Sequence, residues 1–420
     1  MRALYTLLWW LALPWLPLRL WWRGRREPMY RAYVGERFGW YGRAKATTPG
    51  AIWIHAVSLG ETRAVAPLVE RLLRDAPQRS ILLTHMTATG REAGRALFGD
   101  RVMQAWLPYD LPFAMRRFLA RFRPRAGLLV ETELWPNLGA AAGEAGVPLL
   151  LINARLSERS ARGYARIGGL ARRLVQALTG IAAQTEADAE RLRALGATHV
   201  VVTGNLKFDA TIPAGMRDRG RYLREQFGRE RPLILLASTR DGEEALLVDA
   251  LARATLPAQA LVVIVPRHPQ RFDAVAALVE ARGLALARRS ADRPVASSVR
   301  VVLGDSMGEL AAYYQAADVA FVGGSLLPFG GQNLIEAIVA GVPTLIGPHT
   351  FNFAQASDAA IAAGAALRVG HADDVFAVAG RLLGDPASRE RMRVHGEAFI
   401  AAHRGALDRL WEWLEPRLSA

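Results

Sequence analysis

One acidic residue stands where an apolar run gives way to a helical pattern. Glu61 closes the segment HAVSLGE, which follows the apolar residues 51–55. A carboxylate at the carboxyl end of a buried strand can act as a general base that takes the proton of an attacking hydroxyl group. Ser58 lies three residues earlier, which is also the spacing of a helix capping box. The sequence therefore leaves two interpretations of Glu61 open, a base and a helix cap.

Two further carboxylates follow the apolar residues 126–130. Glu131 and Glu133 begin the segment ETELWPN and lie two positions apart. Carboxylates this close at a strand end repel each other when both are buried, so at least one of them needs a partner. A plain acidic turn does not account for the Trp135-Pro136 pair beside them. We therefore interpret this segment as functional.

A glycine-rich segment in the second half points to an anionic ligand. Residues 323–337 read GGSLLPFGGQNLIEA and follow another apolar run. Gly330 and Gly331 let backbone N–H groups approach an anion where a helix begins, and a helix N-terminus favours negative charge. Glu336 is placed to accept hydrogen bonds from ribose hydroxyls. The alternative is a tight turn with a surface glutamate, and the segment lacks the lysine of a Walker A loop.

Cationic side chains follow other predicted strands of the same half. Arg240 comes after the run PLILLA, and Arg267 and His268 come directly after the run ALVVIV. Arginine binds phosphate and carboxylate groups well, so these side chains suit an anionic nucleotide. Together with the turn at Gly308 they outline one predicted nucleotide pocket.

Polar side chains of the first half suit a second substrate. Thr87 lies in the strand-end loop THMTATG, and Arg63 follows Glu61 on the same predicted helix. Arg63 and Arg155 are candidates for contacts with phosphate groups. The alternative for both arginines is a solvated surface charge, because arginine is abundant in this chain.

Apolar runs alternate with helical patterns along the chain, which is typical of parallel sheets covered by helices on both faces. Residues 27–208 and 229–420 each form such a series, and a polar stretch with glycine and proline at residues 209–228 separates them. The sequence thus predicts an α/β protein with two doubly wound Rossmann-like domains and a linker. Ligands of such sheets bind outside the carboxyl ends of the strands, so we expect the functional residues to face a cleft between the domains.

Residues 1–26 predict an N-terminal membrane anchor. Residues 3–22 are almost entirely apolar and rich in tryptophan, and arginines follow at once. A spanning helix needs about 20 such residues, tryptophan suits the membrane interface, and the arginines place the rest of the chain in the cytoplasm. Pro14 and Pro17 interrupt the helix, so a spanning anchor and one lying in a single leaflet both stay open. A buried first helix of a soluble fold is the other alternative.

The composition narrows the possible partners. Lysine and arginine together number 53 against 39 acidic residues, a surplus of 14 that favours anionic partners. The sequence shows no nucleic-acid-binding motif and no metal-ligand spacing, so we expect lipid and phosphate, with no nucleic acid and no metal site. The chain has no cysteine, which excludes disulfides and cysteine nucleophiles. The basic residues are arginine except for Lys45 and Lys207.

The order of these motifs resembles the bacterial 3-deoxy-D-manno-octulosonic acid (Kdo) transferases of lipopolysaccharide assembly. The resemblance covers residues 30–370 and runs through RFGWYG, HAVSLGE, THMTATG, LPYD, ETELWPN, NARLSERS, GNLKFD, STRDGEE, PRHPQR, GDSMGEL, GGSLLPFGGQNLIEA and GPHTFNF. It implies a two-domain GT-B fold with an N-terminal anchor at the cytoplasmic face of the inner membrane. It also implies CMP-Kdo as the donor and a lipid A precursor, lipid IVA, as the acceptor, with no cofactor.

The resemblance assigns roles to individual residues. Glu61 is implied as the catalytic base of an inverting displacement. We expect the acceptor to be bound by Glu131, Glu133, Arg63 and Thr87. We expect the donor to be bound by Arg240, Arg267, His268, Gly308, Gly330, Gly331, Asn333 and Glu336. Many family members carry histidine at the position of Gln332, so the role of Gln332 is left open.

Three other functions stay open at this stage. One is a different GT-B envelope transferase that uses a UDP-sugar, and another is the UDP-N-acetylglucosamine 2-epimerase group, which shares the architecture but needs no anchor. A membrane-tethered nucleotide-binding module is a third possibility, which the carboxylates at strand ends disfavour. The residues do not indicate how many Kdo units are transferred or which oligomeric state the protein adopts.

Overall fold

The computed structural model describes residues 1–25, 27–42, 49–212 and 214–419. These residues form two compact units, unit 1 with Met1–Asp209 and Arg404–Ala420, and unit 2 with Ala210–His403. Arg26, Lys45 and Pro213, which entered the sequence analysis, lie outside the described residues.

Unit 1 is built on a parallel seven-stranded sheet with the order β3-β2-β1-β4-β5-β6-β7. The strands are β1 (Ile52–His55), β2 (Ile81–His85), β3 (Met103–Trp106), β4 (Ala126–Val130), β5 (Leu149–Ala154), β6 (Gly180–Ala183) and β7 (Val200–Val202). The helices are α1 (Arg2–Ala12), α2 (Trp15–Arg23), α3 (Leu59–Asp75), α4 (Ala88–Phe98), α5 (Pro112–Phe122), α6 (Pro136–Ala145), α7 (Glu158–Arg166), α8 (Gly169–Gln176) and α9 (Glu186–Ala194). Short 3-10 helices cover Pro28–Arg31, Val34–Phe38, Gly99–Arg101 and Leu206–Asp209.

Unit 2 repeats this design with a parallel seven-stranded sheet in the order β10-β11-β9-β8-β12-β13-β14. The strands are β8 (Leu233–Thr239), β9 (Leu261–Pro266), β10 (Leu286–Arg288), β11 (Val301–Leu303), β12 (Val319–Val322), β13 (Thr344–Ile346) and β14 (Ala366–Arg368). The helices are α10 (Met216–Phe227), α11 (Glu243–Arg253), α12 (Phe272–Glu280), α13 (Leu310–Ala316), α14 (Ile335–Val339), α15 (Ala354–Ala362), α16 (Ala372–Gly384) and α17 (Pro386–His403). Two 3-10 helices, Pro269–Arg271 and Arg289–Ala291, complete the unit.

The central strands are buried along their whole length, because helices cover both faces of each sheet. In unit 1 the two faces carry separate apolar clusters, one around Trp53 and Phe118 and the other around Ile54 and Leu68. Unit 2 has a matching cluster around Leu236 and Phe321. The prediction of two Rossmann-like α/β domains is confirmed.

The chain divides between the units at different residues from those expected. Residues 209–228 were predicted as a linker, but residues 210–228 belong to unit 2 and contain α10, whose Leu223 and Phe227 are buried. The last helix, α18 (Ala406–Ser419), belongs to unit 1 and not to the second domain. The Asp209 carboxylate accepts the N–H groups of Gly405 and Leu407, and Leu410 and Leu414 join the Ile54 cluster. The apolar face of α18 therefore completes the core of unit 1.

The N-terminal helices α1 and α2 pack on unit 1 by one side only. Leu16 and Leu20 are buried in a small cluster with Tyr109 and Leu111. Outward-facing side chains are large and apolar; they are Met1, Leu4, Leu7, Leu8, Trp10, Leu11, Trp15, Leu18, Trp21 and Trp22. No single helix among the described residues has the length and apolarity to cross a membrane, whereas α1 and α2, bent by 61°, meet these criteria as a pair.

The order of the strands creates one switch point in each sheet. In unit 1 the chain runs outward from β1 to β2 and β3 and then returns to place β4 on the other side of β1. In unit 2 the same reversal lies between the neighbouring strands β8 and β12. Open α/β sheets bind ligands at such switch points, outside the carboxyl ends of the strands.

Candidate active site

The three predicted carboxylates of unit 1 come from the two strands that flank its switch point. β1 and β4 are neighbours, with His55 opposite Leu129. Glu61 lies in the first turn of the helix after β1, and Glu131 and Glu133 lie in the loop after β4. The fold therefore places all three carboxylates at the carboxyl ends of two central strands.

Hydrogen bonds at both oxygens fix the carboxylate of Glu61. Oε2 accepts the Val57 N–H at 2.7 Å, and Oε1 accepts the Ser58 hydroxyl at 2.8 Å. The Ser58 hydroxyl also accepts the Glu61 N–H at 3.4 Å, which is the predicted capping interaction. The carboxylate is half-buried.

The surroundings of Glu61 favour its protonated form. Burial, together with the negative charges of Glu131 and Glu133, raises the pKa of Glu61 to about 8, although the bonds from Val57 and Ser58 oppose the shift. A carboxylate with this pKa is a far stronger base than an ordinary surface glutamate, and its pKa lies near neutral pH, where general-base catalysis is most effective.

Glu131 has a cationic partner that the sequence analysis did not assign to the site. Lys207 Nζ lies 2.7 Å from Glu131 Oε1, and both side chains are largely buried. The Glu131 backbone is left-handed, with φ of 64°. The expectation that one of the two adjacent carboxylates needs a partner is confirmed. Two signals for Lys207 were present in the sequence: it is one of two lysines among 53 basic residues, and it lies in the GNLKFD segment of the resemblance.

Glu133 is held by the tryptophan two residues later. Trp135 Nε1 donates to Glu133 Oε2 at 2.6 Å, and burial raises the pKa of Glu133 to about 6. The helix that follows is anchored by Asp110, whose carboxylate accepts the N–H groups of Asn137 and Leu138 at 3.0 and 2.8 Å. The LPYD and ETELWPN segments thus form one hydrogen-bonded unit behind the carboxylates.

A buried histidine lies below this group. His55 Nδ1 is 2.9 Å from Thr84 Oγ1, and the ring packs edge-on against Trp135 with a centroid distance of 5.6 Å. Burial lowers the pKa of His55 to about 3, so the ring is neutral at physiological pH. His55 therefore contributes shape and packing to the site and no charge.

The structure gives Thr87 and Arg63 different environments. The Thr87 hydroxyl caps α4 by accepting the Gly90 N–H at 3.2 Å, and it donates to the Val57 carbonyl at 3.0 Å. It therefore ties the loop that carries Glu61 to the end of β2. Arg63 is exposed on α3, two residues after Glu61.

In unit 2 a buried carboxylate joins the loops on the two sides of the switch point. Glu243, at the start of α11, is fully buried and accepts the N–H groups of Gly324, Leu326 and Arg240 at 2.6, 2.8 and 3.0 Å. The loops come so close that a Cβ atom at Gly323 would lie 2.7 Å from Thr239 Cα. Sequence reasoning did not assign Glu243 to the site, although it lies in the STRDGEE segment.

The glycine loop after β12 is folded on itself. Gly330 and Gly331 have φ of 91° and 78°, a conformation that favours glycine. The Gly331 N–H donates to the Gly324 carbonyl at 2.6 Å, so this amide is engaged within the loop and is not turned toward an anion. Asn333 Nδ2 donates to Glu336 Oε1 at 3.1 Å. Both side chains are half-buried at the start of the short helix α14.

Two arginines and a histidine gather at the ends of β8 and β9. The Arg240 guanidinium lies 4.8 Å from the centre of the Phe329 ring, which links it to the glycine loop. Partial burial lowers the pKa of His268, and the charges of Arg240 and Arg267 lower it further. The carboxyl ends of β8 and β9 therefore carry concentrated positive charge. Gly308, with φ of 86°, is exposed in the loop after β11.

The described residues contain no group of three or more histidine, aspartate or glutamate side chains arranged to hold a metal ion. The carboxylates of unit 1 interact instead with Lys207, Trp135, Ser58 and the Val57 N–H. The structure thus brings together Glu61, Glu131 and Glu133 in unit 1. In unit 2 it brings Arg240, Arg267 and His268 together next to the glycine loop.

Two Rossmann-like units, each with candidate site residues at its switch point, define a GT-B-like protein. HepE from Anabaena, solved in complex with UDP-glucose, superposes with a TM-score of 0.59 over 88% of this chain and 100% of that chain. Its sequence identity is 14%, so this likeness shows the fold alone.

Sequence comparison identifies the family within this class. The family model for 3-deoxy-D-manno-octulosonic-acid transferase matches residues 32–210. The 3-deoxy-D-manno-octulosonic acid transferase of Bordetella pertussis is 48% identical, with 98% of this chain and 99% of the relative aligned. The transferase of Haemophilus influenzae is 38% identical, with 94% of this chain and 93% of the relative aligned. The chain belongs to the Kdo transferase family of glycosyltransferases.

Proposed function

We propose that this protein transfers Kdo from CMP-Kdo to a lipid A precursor in lipopolysaccharide biosynthesis, with Glu61 as the general base. The observation that carries the proposal is the environment of Glu61 at the switch point of unit 1. Its carboxylate is held by Val57 and Ser58, and its pKa is raised by burial and by two neighbouring carboxylates. The identity of the sugar follows from the family.

The proposed reaction is a single displacement. A hydroxyl oxygen of the acceptor attacks the anomeric carbon of Kdo, and the bond from that carbon to the phosphate oxygen of CMP breaks. The electron pair of this bond leaves with CMP, and the ionised carboxylate of Glu61 takes the proton of the attacking hydroxyl. Attack from the face opposite to CMP inverts the anomeric centre.

We assign the donor to the strand ends of unit 2. CMP-Kdo carries a phosphate and a sugar carboxylate, and both need cations or N–H donors. Arg240 and Arg267 supply positive charge, and His268 supplies ring nitrogens beside them. Glu336 is the proposed partner of the ribose hydroxyls. The proposed donor site also includes Gly308, Gly330 and Asn333, and Gly331 contributes by shaping the glycine loop through its bond to the Gly324 carbonyl.

We assign the acceptor to the strand ends of unit 1. Glu131 and Glu133 are the proposed partners of acceptor hydroxyl groups. Arg63 is exposed close to Glu61 in the sequence and suits an acceptor phosphate. Thr87 contributes through the loop it holds, because its hydroxyl is already bonded to Val57 and Gly90.

We further propose that α1 and α2 attach the protein to the cytoplasmic face of the inner membrane. Their outward side chains are leucine and tryptophan, and Arg25 lies over the Trp21 ring at 4.1 Å. Tryptophan and arginine next to an apolar surface suit the membrane interface. The Thr6 hydroxyl donates to Asn137 Oδ1 at 3.0 Å, so α1 contacts the segment that also carries Glu133. A lipid acceptor taken from the membrane would thus enter close to the carboxylates.

One transfer assay tests the proposed function. Purified protein is incubated with a lipid A precursor and either labelled CMP-Kdo or labelled UDP-sugars. The masses of the lipid products are then measured by mass spectrometry. We expect transfer from CMP-Kdo only. The mass of the lipid product should increase by one or more Kdo units, and the size of the increase gives their number. Transfer from a UDP-sugar without transfer from CMP-Kdo would overturn the proposal in favour of another GT-B enzyme.

A further inference from the structure

Lys207 lies in a segment that is fixed at several points. The 3-10 helix Leu206–Asp209 follows β7, and the Leu206 N–H donates to Asn153 Oδ1 at 3.0 Å. The Lys207 N–H donates to Asn205 Oδ1 at 3.0 Å. At the end of the segment, Asp209 caps α18. The backbone that carries Lys207 is therefore held by β5 on one side and by the C-terminal helix on the other.

The ammonium group of Lys207 is directed at Glu131. The distance from Nζ to Oε1 is 2.7 Å, and the two side chains are 13% and 20% exposed. A pair this far out of water is less screened than a surface ion pair, so its charges act more strongly on their neighbours. An ammonium group is also a compact point charge, unlike the broad guanidinium that this chain uses almost everywhere else.

The neighbours of Glu61 include two carboxylates, Glu131 and Glu133. Other titratable or charged groups near this set include neutral His55 and His85 below it, Tyr164 beside Glu133, exposed Arg63 on the same helix, and Lys207. Arg155 adjoins the same loop, since its carbonyl accepts the Thr132 hydroxyl. Glu133 is held by a neutral tryptophan N–H. The ion pair with Glu131 places the Lys207 ammonium in direct contact with a carboxylate that acts on Glu61.

We propose that Lys207 is a positioning residue for the transfer reaction, which compensates the charge of Glu131 and so keeps Glu61 able to ionise near neutral pH. The inference rests on the proposed function, because it takes Glu61 as the base. Lys207 acts through Glu131 and touches no reacting atom. Its contribution is the local field and the fixed position of the Glu131 carboxylate.

Loss of the ammonium group has a consequence that depends on pH. Glu131 would become an uncompensated negative charge, and Glu61 would hold its proton more tightly. Activity would then fall most on the acid side and recover as the pH rises. A purely structural role would lower activity to a similar extent at every pH.

The test compares pH profiles of kcat/KM for full-length Lys207→Met, Lys207→Arg and the double variant Lys207→Met with Glu131→Gln. The acid limb of the profile is the pH range over which kcat/KM rises as Glu61 ionises. We expect Lys207→Met to move this limb upward by about one pH unit. Well below the limb, kcat/KM should then fall by about tenfold, and above the limb it should change little. Lys207→Arg keeps the positive charge and should keep the limb close to its original position. The double variant removes both charges and should return the limb to the wild-type position or below it.

Matched controls separate this inference from the proposed function. Arg74→Met removes an exposed cation from α3, and its acid limb should stay in place. An equal loss at all pH values in Lys207→Met, or a limb that stays shifted in the double variant, would overturn the inference. Full activity of Glu61→Gln would instead overturn the proposed base. Thermal melts of each variant identify any that fail to fold; if Lys207→Met is among them, the double variant, which leaves neither charge unpaired, carries the comparison.

Discussion

Ser58 and Glu61 form a reciprocal pair in the first turn of α3. The Ser58 hydroxyl accepts the Glu61 N–H at 3.4 Å and donates to Glu61 Oε1 at 2.8 Å, and the Val57 N–H occupies Oε2 at 2.7 Å. These bonds cap the helix and also fix the orientation of the carboxylate. Each carboxylate oxygen has a second lone pair that can accept a proton. The helix-cap and general-base interpretations of Glu61 are therefore compatible.

The first prediction concerns the charge of Glu61. In Glu61→Gln the amide oxygen can accept the Val57 N–H and the amide nitrogen can donate to Ser58, so the loop should keep its shape. The base is lost, and we expect kcat to fall by about 10²- to 10⁴-fold. Donor affinity should stay unchanged, because the proposed donor residues lie in unit 2. Initial rates with labelled CMP-Kdo and calorimetric titration of the donor check the two parts.

The control for this variant is Glu70→Gln, which lies on the same helix. Glu70 is exposed and pairs with Arg101 at 2.7 Å. Surface ion pairs contribute about 1 kcal/mol or less to stability, and Glu70 is outside the proposed site, so the variant should fold and its rate should stay close to that of the wild type. A Glu61→Gln enzyme that keeps a rate similar to this control would remove Glu61 from its proposed role.

The second prediction concerns the pH dependence of the reaction. Burial and the negative charges of Glu131 and Glu133 together raise the pKa of Glu61 to about 8. Below that pH the base is mostly protonated, so kcat/KM should rise about tenfold per pH unit and level off above it. The limb belongs to the interacting carboxylates together, so Glu133→Gln should move it to lower pH. A limb near pH 4 to 5, as for an ordinary glutamate, would contradict this prediction.

The third prediction concerns stability. A glutamate whose pKa is higher in the folded state than in the unfolded state binds its proton more tightly when folded, so its contribution to stability is present at acid pH and lost as the pH rises through about 8. Above that pH an ionised Glu61 is destabilising, and Glu61→Gln should melt a few degrees higher than the wild type. Near pH 5 the difference should shrink. Thermal melts at both pH values check the sign, and a destabilised variant at high pH would contradict it.

The sequence showed apolar runs for central strands such as β1, β4, β8 and β9 and gave none for three of the four strands at the sheet edges. β3, β10 and β14 were not predicted, and each lies at one edge of its sheet. Central strands of a parallel sheet are buried on both faces and form continuous apolar runs. The missed strands, with the sequences MQAW, LAR and ALR, carry polar residues and are partly exposed. These three strands show no continuous apolar run, because their residues at the sheet edge are partly exposed and need not be apolar.

The site was predictable where its residues are close in sequence and not where they are distant. Glu61, Glu131 and Glu133 follow apolar runs directly, so their position at strand ends follows from local pattern. Lys207 meets Glu131 across 76 residues, and Glu243 reaches Gly324 across 81. Such pairs depend on strand order, which one sequence does not specify.

The fourth prediction concerns Glu243. Its carboxylate accepts the N–H groups of Gly324, Leu326 and Arg240, but a glutamine offers only one acceptor oxygen. In Glu243→Gln at least one buried N–H group loses its partner, at a cost of about 1–3 kcal/mol. We expect the glycine loop and Arg240 to shift and donor affinity to fall by about tenfold or more. Donor titration by calorimetry measures this.

The comparison for Glu243 uses Glu280→Gln, an exposed glutamate at the end of α12 in the same unit. It should bind the donor as the wild type does. Glu243→Gln with unchanged donor affinity and only a lower melting temperature would show that this carboxylate serves the stability of unit 2 and not the donor site.

The fifth prediction concerns membrane attachment by α1 and α2. Leu8, Leu11 and Trp15 are 58%, 64% and 69% exposed, far more than apolar side chains of this size in a core. Burying one such side chain contributes about 1.5–3 kcal/mol, so replacing all three with glutamine should weaken binding to anionic lipid vesicles by tenfold or more. The matched control replaces Leu97, Leu246 and Val394, which are 42%, 45% and 48% exposed elsewhere, and should bind as the wild type does. Vesicle co-sedimentation measures both variants. Equal binding of the two would refute the proposed attachment, because only the first set lies on the outward face of the N-terminal helices.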